Sequence, residues 1–313
     1  MTTTYIATSG LDPICDAVEG LLSKSNEVVR VTPSEVAQLE SRKESCLVIS
    51  EQVGQSVFST IPRDFGMVHF LGCRPPLGLL EQVENSDTVI AGISPSIAPR
   101  VANRVIGFTG PLQVKPMAVW GIVGLGTTGL EVARKVTSNR SSVSIADIRT
   151  PRSGILNELG IRRKTLDLLV AESDVVTLHL YAGPTADPLI SKRELSLMKT
   201  NAVLINTSDS SVVDEQAVLD ALRSGQLAGY ATDCPGPIFE VPHESLVSDC
   251  KLVVTTNPLT SQIGVSVNIA RLVDLNVRAF SNGEKVKGCY EPVDYPIVGD
   301  PSFWSSRMSP RQD

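Results

Sequence analysis

Gly124-Leu125-Gly126-Thr127-Thr128-Gly129 sits between a short apolar run, Val119 to Val123, and a helix-like segment, Leu130 to Val136. The order is strand, glycine turn, helix. Each glycine answers a different need: Gly124 permits the tight turn, Gly126 lets the backbone approach a pyrophosphate, and Gly129 lets the helix pack close to the strand. The N–H groups and positive dipole end of that helix, which begins at Thr127 and Thr128, would then face phosphate oxygens. A second strand, Ser142 to Ala146, ends at Asp147, about 20 residues on, where a carboxylate binds both ribose hydroxyls of NAD and repels a 2′-phosphate. The pattern predicts a dinucleotide site with NAD as its cofactor. Without the strand and the acid, the same glycines would read as an ordinary α/β turn. Arg149, close to the acid, works against the preference for NAD.

The chain must supply a scaffold for this loop. Its 313 residues exceed one ordinary core and suit two domains. Hydrophobic residues make up 42% and aromatics 4%, so the core is mostly aliphatic, as in buried parallel sheets. A net charge of −6, with no basic run to offset it, argues against a nucleic-acid partner. No apolar stretch reaches membrane-spanning length. Met1-Thr2-Thr3-Thr4 has neither the basic nor the apolar region of a signal peptide. Cys15, Cys46, Cys73, Cys234, Cys250 and Cys289 are scattered without a CxxC pair, and read as reduced thiols of a cytoplasmic protein. His69, His179 and His243 are too separated for a histidine metal cluster, so no metal is expected.

Short apolar runs and helix-like segments alternate along the whole chain. Strands are predicted at Tyr5 to Thr8, Glu27 to Val31, Cys46 to Ile49, Met67 to Leu71 and Thr88 to Ala91, with helices starting at Asp12-Pro13 and Thr32-Pro33. Ser94 to Phe108 reads as a longer helix crossing into a second domain. There the predicted strands are Val119 to Val123, Ser142 to Ala146, Asp174 to Leu180, Ala202 to Asn206, Ala228 to Thr232 and Lys251 to Thr255. Asp214 to Arg223 and the apolar-periodic Gln262 to Phe280 are helices, the latter stopped by Ser281-Asn282-Gly283. The fold class is therefore α/β with two domains. One is a doubly wound Rossmann domain over residues 101–281. The other is a smaller flavodoxin-like substrate or cap domain over 1–100 plus 282–313.

Several ordered blocks together resemble the D-isomer-specific 2-hydroxyacid dehydrogenase family over most of residues 100–290. They are GLGTTG with Asp147, Asp174-Val175-Val176-Thr177-Leu178-His179-Leu180 with Leu189-Ile190, and Met198-Lys199 with Leu204-Ile205-Asn206-Thr207. Val213-Asp214-Glu215, Ala221 to Gly229 and Asp233 complete the set. The resemblance implies two similar α/β domains, NAD on the second, Thr207 lining the cofactor wall, and Asp233 near the nicotinamide carboxamide. It also implies an arginine that clamps the substrate carboxylate, a histidine that exchanges the proton and a glutamate that orients the histidine. Those three positions read here as Asp209, Asn257 and Gly236. Between Asn103 and Gly124 the chain has about half the family's usual length, which implies a homodimer with a shortened dimerisation arm.

These departures redirect the chemistry. Asn257 donates a hydrogen bond but cannot titrate, and Asp209 inverts the charge where an α-keto acid would dock. The expectation is an NAD-dependent oxidoreductase acting on an atypical small molecule, cationic or imine-like, since hydride addition to an iminium needs no simultaneous proton donor. Tyr181, Tyr230, Cys234 and His69 are the candidate proton donors if one is needed, and Arg74 a candidate anion contact, though each reads first as an ordinary packed or surface side chain. Asp209 reads equally as a helix cap for the segment near Val213, and Asn257 as a turn residue before Pro258. Two other classes stay open: a catalytically inactive NAD-binding sensor or scaffold, and a lyase, cyclase or isomerase that keeps NAD bound for a transient oxidation.

Overall fold

A strand buried on both faces must be nearly continuous in apolar residues, and the runs in this chain satisfy that rule in two separate sets. The computed structural model describes residues 2–39, 42–50, 52–53, 61–62, 64–72, 75, 77–83, 86–148, 153–180, 187–256 and 264–290. The first set is β1 (Thr3–Ala7), α1 (Pro13–Leu22), β2 (Glu27–Val31), β3 (Cys46–Ser50), β4 (Met67–Leu71), α2 (Leu77–Val83) and β5 (Val89–Gly92). After α3 (Ser94–Thr109) come β6 (Trp120–Val123), α4 (Thr127–Ser138), β7 (Val143–Ala146), α5 (Ser153–Leu159), β8 (Arg162–Arg163), α6 (Leu166–Glu172) and β9 (Val175–Leu178). They are followed by α7 (Lys192–Leu197), β10 (Val203–Asn206), α8 (Glu215–Ser224), β11 (Gly229–Thr232), α9 (Glu244–Ser248), β12 (Leu252–Val254) and α10 (Val265–Ser281). The chain divides into two compact units, Met1–Ile97 with Leu259–Pro296, and Ala98–Pro258 with Ile297–Asp313.

The first unit is a five-stranded parallel sheet in the order β2-β1-β3-β4-β5, the doubly wound order of flavodoxin-like folds. Asp12 starts α1 as its N-cap, accepting from the amides of Ile14 at 2.8 Å and Cys15 at 3.3 Å, with Pro13 at the first helical position. Ser50 Oγ at the end of β3 also donates to Asp12, tying helix to sheet. The helix predicted from Thr32-Pro33 is instead a turn and a single 3-10 turn, Val36–Gln38. Glu35 folds back to accept from both the amide and the hydroxyl of Thr32, which closes the segment on itself.

The boundary placed at residue 281 needs correction, because α10 belongs to the first unit. Its buried stripe, Val265, Ile269, Ala270, Val273 and Val277, shares one core with Cys15, Val18 and Leu22 of α1 and with Ile6, Val48 and Met67 of the sheet. Helical periodicity shows that such a stripe must be covered but does not name the sheet that covers it. Within that unit Asn276 acts as a backbone surrogate. Its Oδ1 accepts from the amide of Lys287 at 2.9 Å, and its Nδ2 donates to the Lys287 carbonyl at 2.9 Å and to His69 Nε2 at 3.1 Å. The part of the second segment from 291 to 313 lies outside the described residues.

The second unit is a seven-stranded parallel sheet in the order β12-β11-β10-β9-β6-β7-β8. The chain winds outward from β6 through β7 to β8, returns to β9 on the other side of β6, and winds outward again to β12. This is the Rossmann order, and the reversal leaves a crevice at the carboxyl ends of β6 and β9. The sequence gives six of these strands within one or two residues of their ends. It misses β8, whose two exposed arginines carry no apolar run. Among the described residues no helix is long and apolar enough to cross a membrane.

His69 lies in β4 with no exposure, and accepting from Asn276 at Nε2 leaves its Nδ1 proton buried without a partner. Burial pulls this imidazole from its usual 6.5 down to about 4. The unfolded chain therefore takes up a proton first as pH falls. Unfolding free energy should be highest above pH 6.5 and drop between 6.5 and about 4, by about 3 kcal/mol from this residue. Urea denaturation at several pH values checks this against His69→Gln, which cannot titrate. Equal pH dependence in the two proteins would refute the assignment.

Candidate functional site

The glycine loop after β6 shows why its residues are what they are. Gly124 has φ +90°, and a Cβ on it would stand 2.4 Å from the carbonyl oxygen of His179. A Cβ on Gly129 would stand 2.0 Å from the carbonyl oxygen of Gly124, so the first turn of α4 lies directly against the loop. Gly126 is the N-cap of α4, with φ −71° and ψ −167°, and no side chain caps that helix start, which begins at Thr127 and Thr128. Asp147 follows β7, is 9% exposed, and accepts from the amide of Leu125 at 2.6 Å. Arg163 of β8 donates to the Asp147 carbonyl at 2.8 Å. Gly124, Gly126, Thr127, Thr128, Gly129 and Asp147 thus stand together at the switch point of the sheet. The shape fits a dinucleotide: a helix start with no side chain on it, backbone approach that a Cβ would block, and an acid one hydrogen bond from the loop.

The other half of the crevice is formed by the ends of β9 to β12. Asn206 closes β10 by donating to the Asp209 carbonyl at 3.0 Å and accepting from the Ser208 amide at 3.0 Å. Ser208 Oγ donates to the Leu178 carbonyl and accepts from the Leu180 amide, at 2.7 and 2.8 Å. Asp209 is the N-cap of a 3-10 turn, Ser210–Val212, its Oδ1 accepting from the Ser211 amide at 3.0 Å and the Ser211 hydroxyl at 2.8 Å. Asp209 thus caps this shorter turn rather than the segment near Val213, and Asp214 caps α8, its side chain accepting from the Ala217 amide at 3.0 Å. Thr207 Oγ1, just past β10, and Thr255 Oγ1, just past β12, are buried without a hydrogen-bond partner. Asn257, Tyr181, Arg74 and Arg149 lie outside the described residues.

Two residues that the sequence reading passed over organise this half. Arg104 of α3 donates from Nη1 to Asp233 Oδ2 at 2.8 Å, with side chains only 12% and 11% exposed. Burial raises the Asp233 carboxyl above its usual range, and Arg104 opposes that rise. Glu215, buried at the start of α8, accepts from the amide of Gly236 at 2.7 Å and of Ile238 at 3.1 Å. A Cβ at Gly236 would stand 2.8 Å from Glu215 Oε2, so the carboxylate of α8 already fills the space beside that glycine. The signal for Arg104 was a charged residue among Val101, Ala102, Val105 and Phe108, the buried face of its helix. Nothing local marks its partner.

The proton-donor candidates are poorly tuned for neutral pH. Burial, with negative charge from Asp233, Asp209 and Glu215, pushes the Cys234 thiol up to about 12. Burial also raises the Tyr230 hydroxyl above its ordinary range. His69 sits in the core of the first unit, and the His179 imidazole, 3.0 Å from Thr177 Oγ1, is pulled by burial down to about 3. Among the described residues no group of histidine, cysteine or carboxylate side chains is arranged to hold a metal ion.

With this geometry in place, the chain can be set beside known proteins. Residues 116–258 match the model of the D-isomer specific 2-hydroxyacid dehydrogenase NAD binding domain. The chain is similar to a glyoxylate reductase of Thermococcus onnurineus, 34% identical over 167 residues, which are 52% of this chain and 48% of that protein. It is similar to the D-3-phosphoglycerate dehydrogenase of Bacillus subtilis at 26% identity over 78% of this chain and 42% of that protein. The chain thus spans about half the length of the curated relatives it matches. In fold it resembles an NADPH-dependent glyoxylate/hydroxypyruvate reductase from Sinorhizobium meliloti crystallised with NADP and malonate, at TM-score 0.69 and 20% identity, covering 93% and 97% of the two chains. It also resembles the NAD-complexed D-isomer specific 2-hydroxyacid dehydrogenase of Lactobacillus delbrueckii, at TM-score 0.65 and 15% identity, covering 93% and 100%.

Gly129→Ala places a carbon where the Gly124 carbonyl stands, so the loop or the helix must move. NAD affinity should fall by about five- to 150-fold, if the roughly 1–3 kcal/mol typical of overpacking is felt on binding. Calorimetric titration measures this, and unchanged affinity would mean that the loop does not carry the pyrophosphate.

Proposed function

We propose, taking residues 116–258 as the NAD-binding domain of D-isomer specific 2-hydroxyacid dehydrogenases, that this chain is an NAD-dependent oxidoreductase whose small-molecule substrate is cationic or imine-like. One observation carries the reading: Asp209, on the turn directly after β10, stands where the resemblance calls for the carboxylate-clamping arginine. Asp233 is balanced by Arg104, and Asp209 engages Ser211 through Oδ1, with no contact to its Oδ2 among the described residues. A keto acid brought here would meet like charge, and an iminium would meet its complement. NADH, when bound, supplies a hydride. Transferred to an iminium carbon, that hydride would make the new C–H bond as the C=N π pair passed to nitrogen, so that Asp209 would have only to hold the cation and no side chain to give up a proton.

The proposed cofactor residues are Gly124, Gly126, Thr127, Thr128, Gly129, Asp147, Thr207 and Asp233, with Asp209 and Asn257 as the substrate-side pair. Asp147 favours NAD over NADP by repelling a 2′-phosphate. The six cysteines are scattered in sequence without a CxxC pair, in keeping with a reducing, cytoplasmic setting. A second reading, a catalytically inactive NAD-binding sensor or scaffold, draws on the same Asp209: its committed Oδ1 gives it a structural use that needs no substrate.

The test is NADH oxidation followed at the nicotinamide band with cyclic imines set against glyoxylate, pyruvate and hydroxypyruvate. Turnover confined to the imines is expected. Steady turnover of a keto acid would refute the charge argument, and NAD binding without any consumption would favour the sensor. Asp209→Asn isolates the charge, because asparagine caps as well as aspartate. It should keep the melting temperature and lower kcat/KM for the cationic substrate about ten-fold, roughly 1.4 kcal/mol. A drop in stability with unchanged kcat/KM would assign Asp209 to the turn alone.

A further inference from the structure

We infer that Arg104 is a positioning residue for the nicotinamide end of the cofactor, acting through Asp233. The inference rests on the NAD reading above. A dinucleotide bound at a switch point spans both halves of the sheet. Asp147, after β7, marks the ribose of the adenosine half. The other end then falls over the ends of β9 to β12, and Asp233 directly follows β11 there. Arg104 engages Asp233 Oδ2, and no other side chain among the described residues donates to this carboxylate. Beyond Arg104 and the residue's own backbone amide, the carboxylate keeps acceptor capacity for an amide N–H2, the group that a nicotinamide presents.

The pair makes chemical sense only if the carboxylate is used. As a stabilising device, a nearly buried ion pair is a poor choice, since apolar residues of the same volume do as well or better. As a positioning device it has two effects. The guanidinium keeps Asp233 ionised despite its burial, and a charged acceptor makes the stronger hydrogen bond. The Nη1–Oδ2 bond at 2.8 Å also holds the carboxylate from one side, at a reach that a lysine ammonium does not reproduce. The side chain itself is anchored because Val101, Ala102, Val105 and Phe108 bury the adjoining face of α3.

The experiment compares NAD with ADP-ribose, which lacks nicotinamide, by calorimetric titration of the full chain and its Arg104→Met, Arg104→Lys and Asp233→Asn variants. Arg104→Met should weaken NAD by about ten-fold and leave ADP-ribose within about two-fold. Arg104→Lys should fall between, and Arg104→Met with Asp233→Asn should lose no more than the worse single variant. Should Arg104→Met fail to fold, Arg104→Lys carries the same comparison. Equal loss of both ligands, or of neither, would overturn the proposal in favour of a merely structural pair. Wild-type protein that binds ADP-ribose and NAD with equal affinity would also overturn it. Wild-type protein that binds neither overturns the NAD reading itself.

Discussion

The first turn of α4 and the end of β6 approach until no carbon fits between them: a Cβ on Gly129 would overlap the Gly124 carbonyl at 2.0 Å. That contact sets where the helix starts relative to the strand, and so where its N-terminal amides point. The loop reversal at Gly124, with φ +90° and the His179 carbonyl beside it, couples the same contact to β9. Asp147 then holds the loop from the β7 side through the Leu125 amide. Three adjacent strands are thereby aligned around one opening. The remaining strands extend the sheet outward, and their ends can only add groups to the rim of that opening.

On the far side of the rim, backbone amides are consumed by side chains before any ligand arrives. Ser208 serves the carbonyl of Leu178 and the amide of Leu180, and Glu215 serves Gly236 and Ile238. This is costly in charge, because it leaves a buried carboxylate beneath the 235–238 loop. It is also rigid, since a carboxylate holding two amides cannot leave without orphaning both. The acidic character of the site follows from this construction as well as from Asp209. Arg104 offsets one charge of the set, so the charge balance at this end of the sheet is set by a few residues on α3, α8 and the β10 and β11 ends.

Most of the architecture was legible because parallel strands buried on both faces read as apolar runs, and glycines in a strand-turn-helix order have few other uses. Asp147 was legible because spacing alone places it. What escaped was long-range and polar. Arg104 and Asp233 lie on separate elements far apart in the chain, and no local pattern pairs them. Glu215 stood in the Val213-Asp214-Glu215 block with no role of its own, because its hold on the Gly236 amide depends on a loop 21 residues later. The placement of α10 escaped for a related reason: its periodicity showed an apolar face, and only packing chose α1 and the first sheet to cover it. Asp209 was half legible, since an aspartate before serines reads as a cap as readily as a ligand.

That double reading bears on how the site changed its chemistry. An arginine has donors only, so at position 209 it could not accept from Ser211, and the turn after β10 would need another closure. Aspartate closes the turn with Oδ1 and keeps a second oxygen. The aspartate therefore makes the loop after β10 self-supporting, because one residue supplies both the turn's closure and its charge. Under the proposed reaction an iminium that takes up hydride leaves no alkoxide to protonate, so the chemistry asks for charge at position 209 and for no titratable group at position 257.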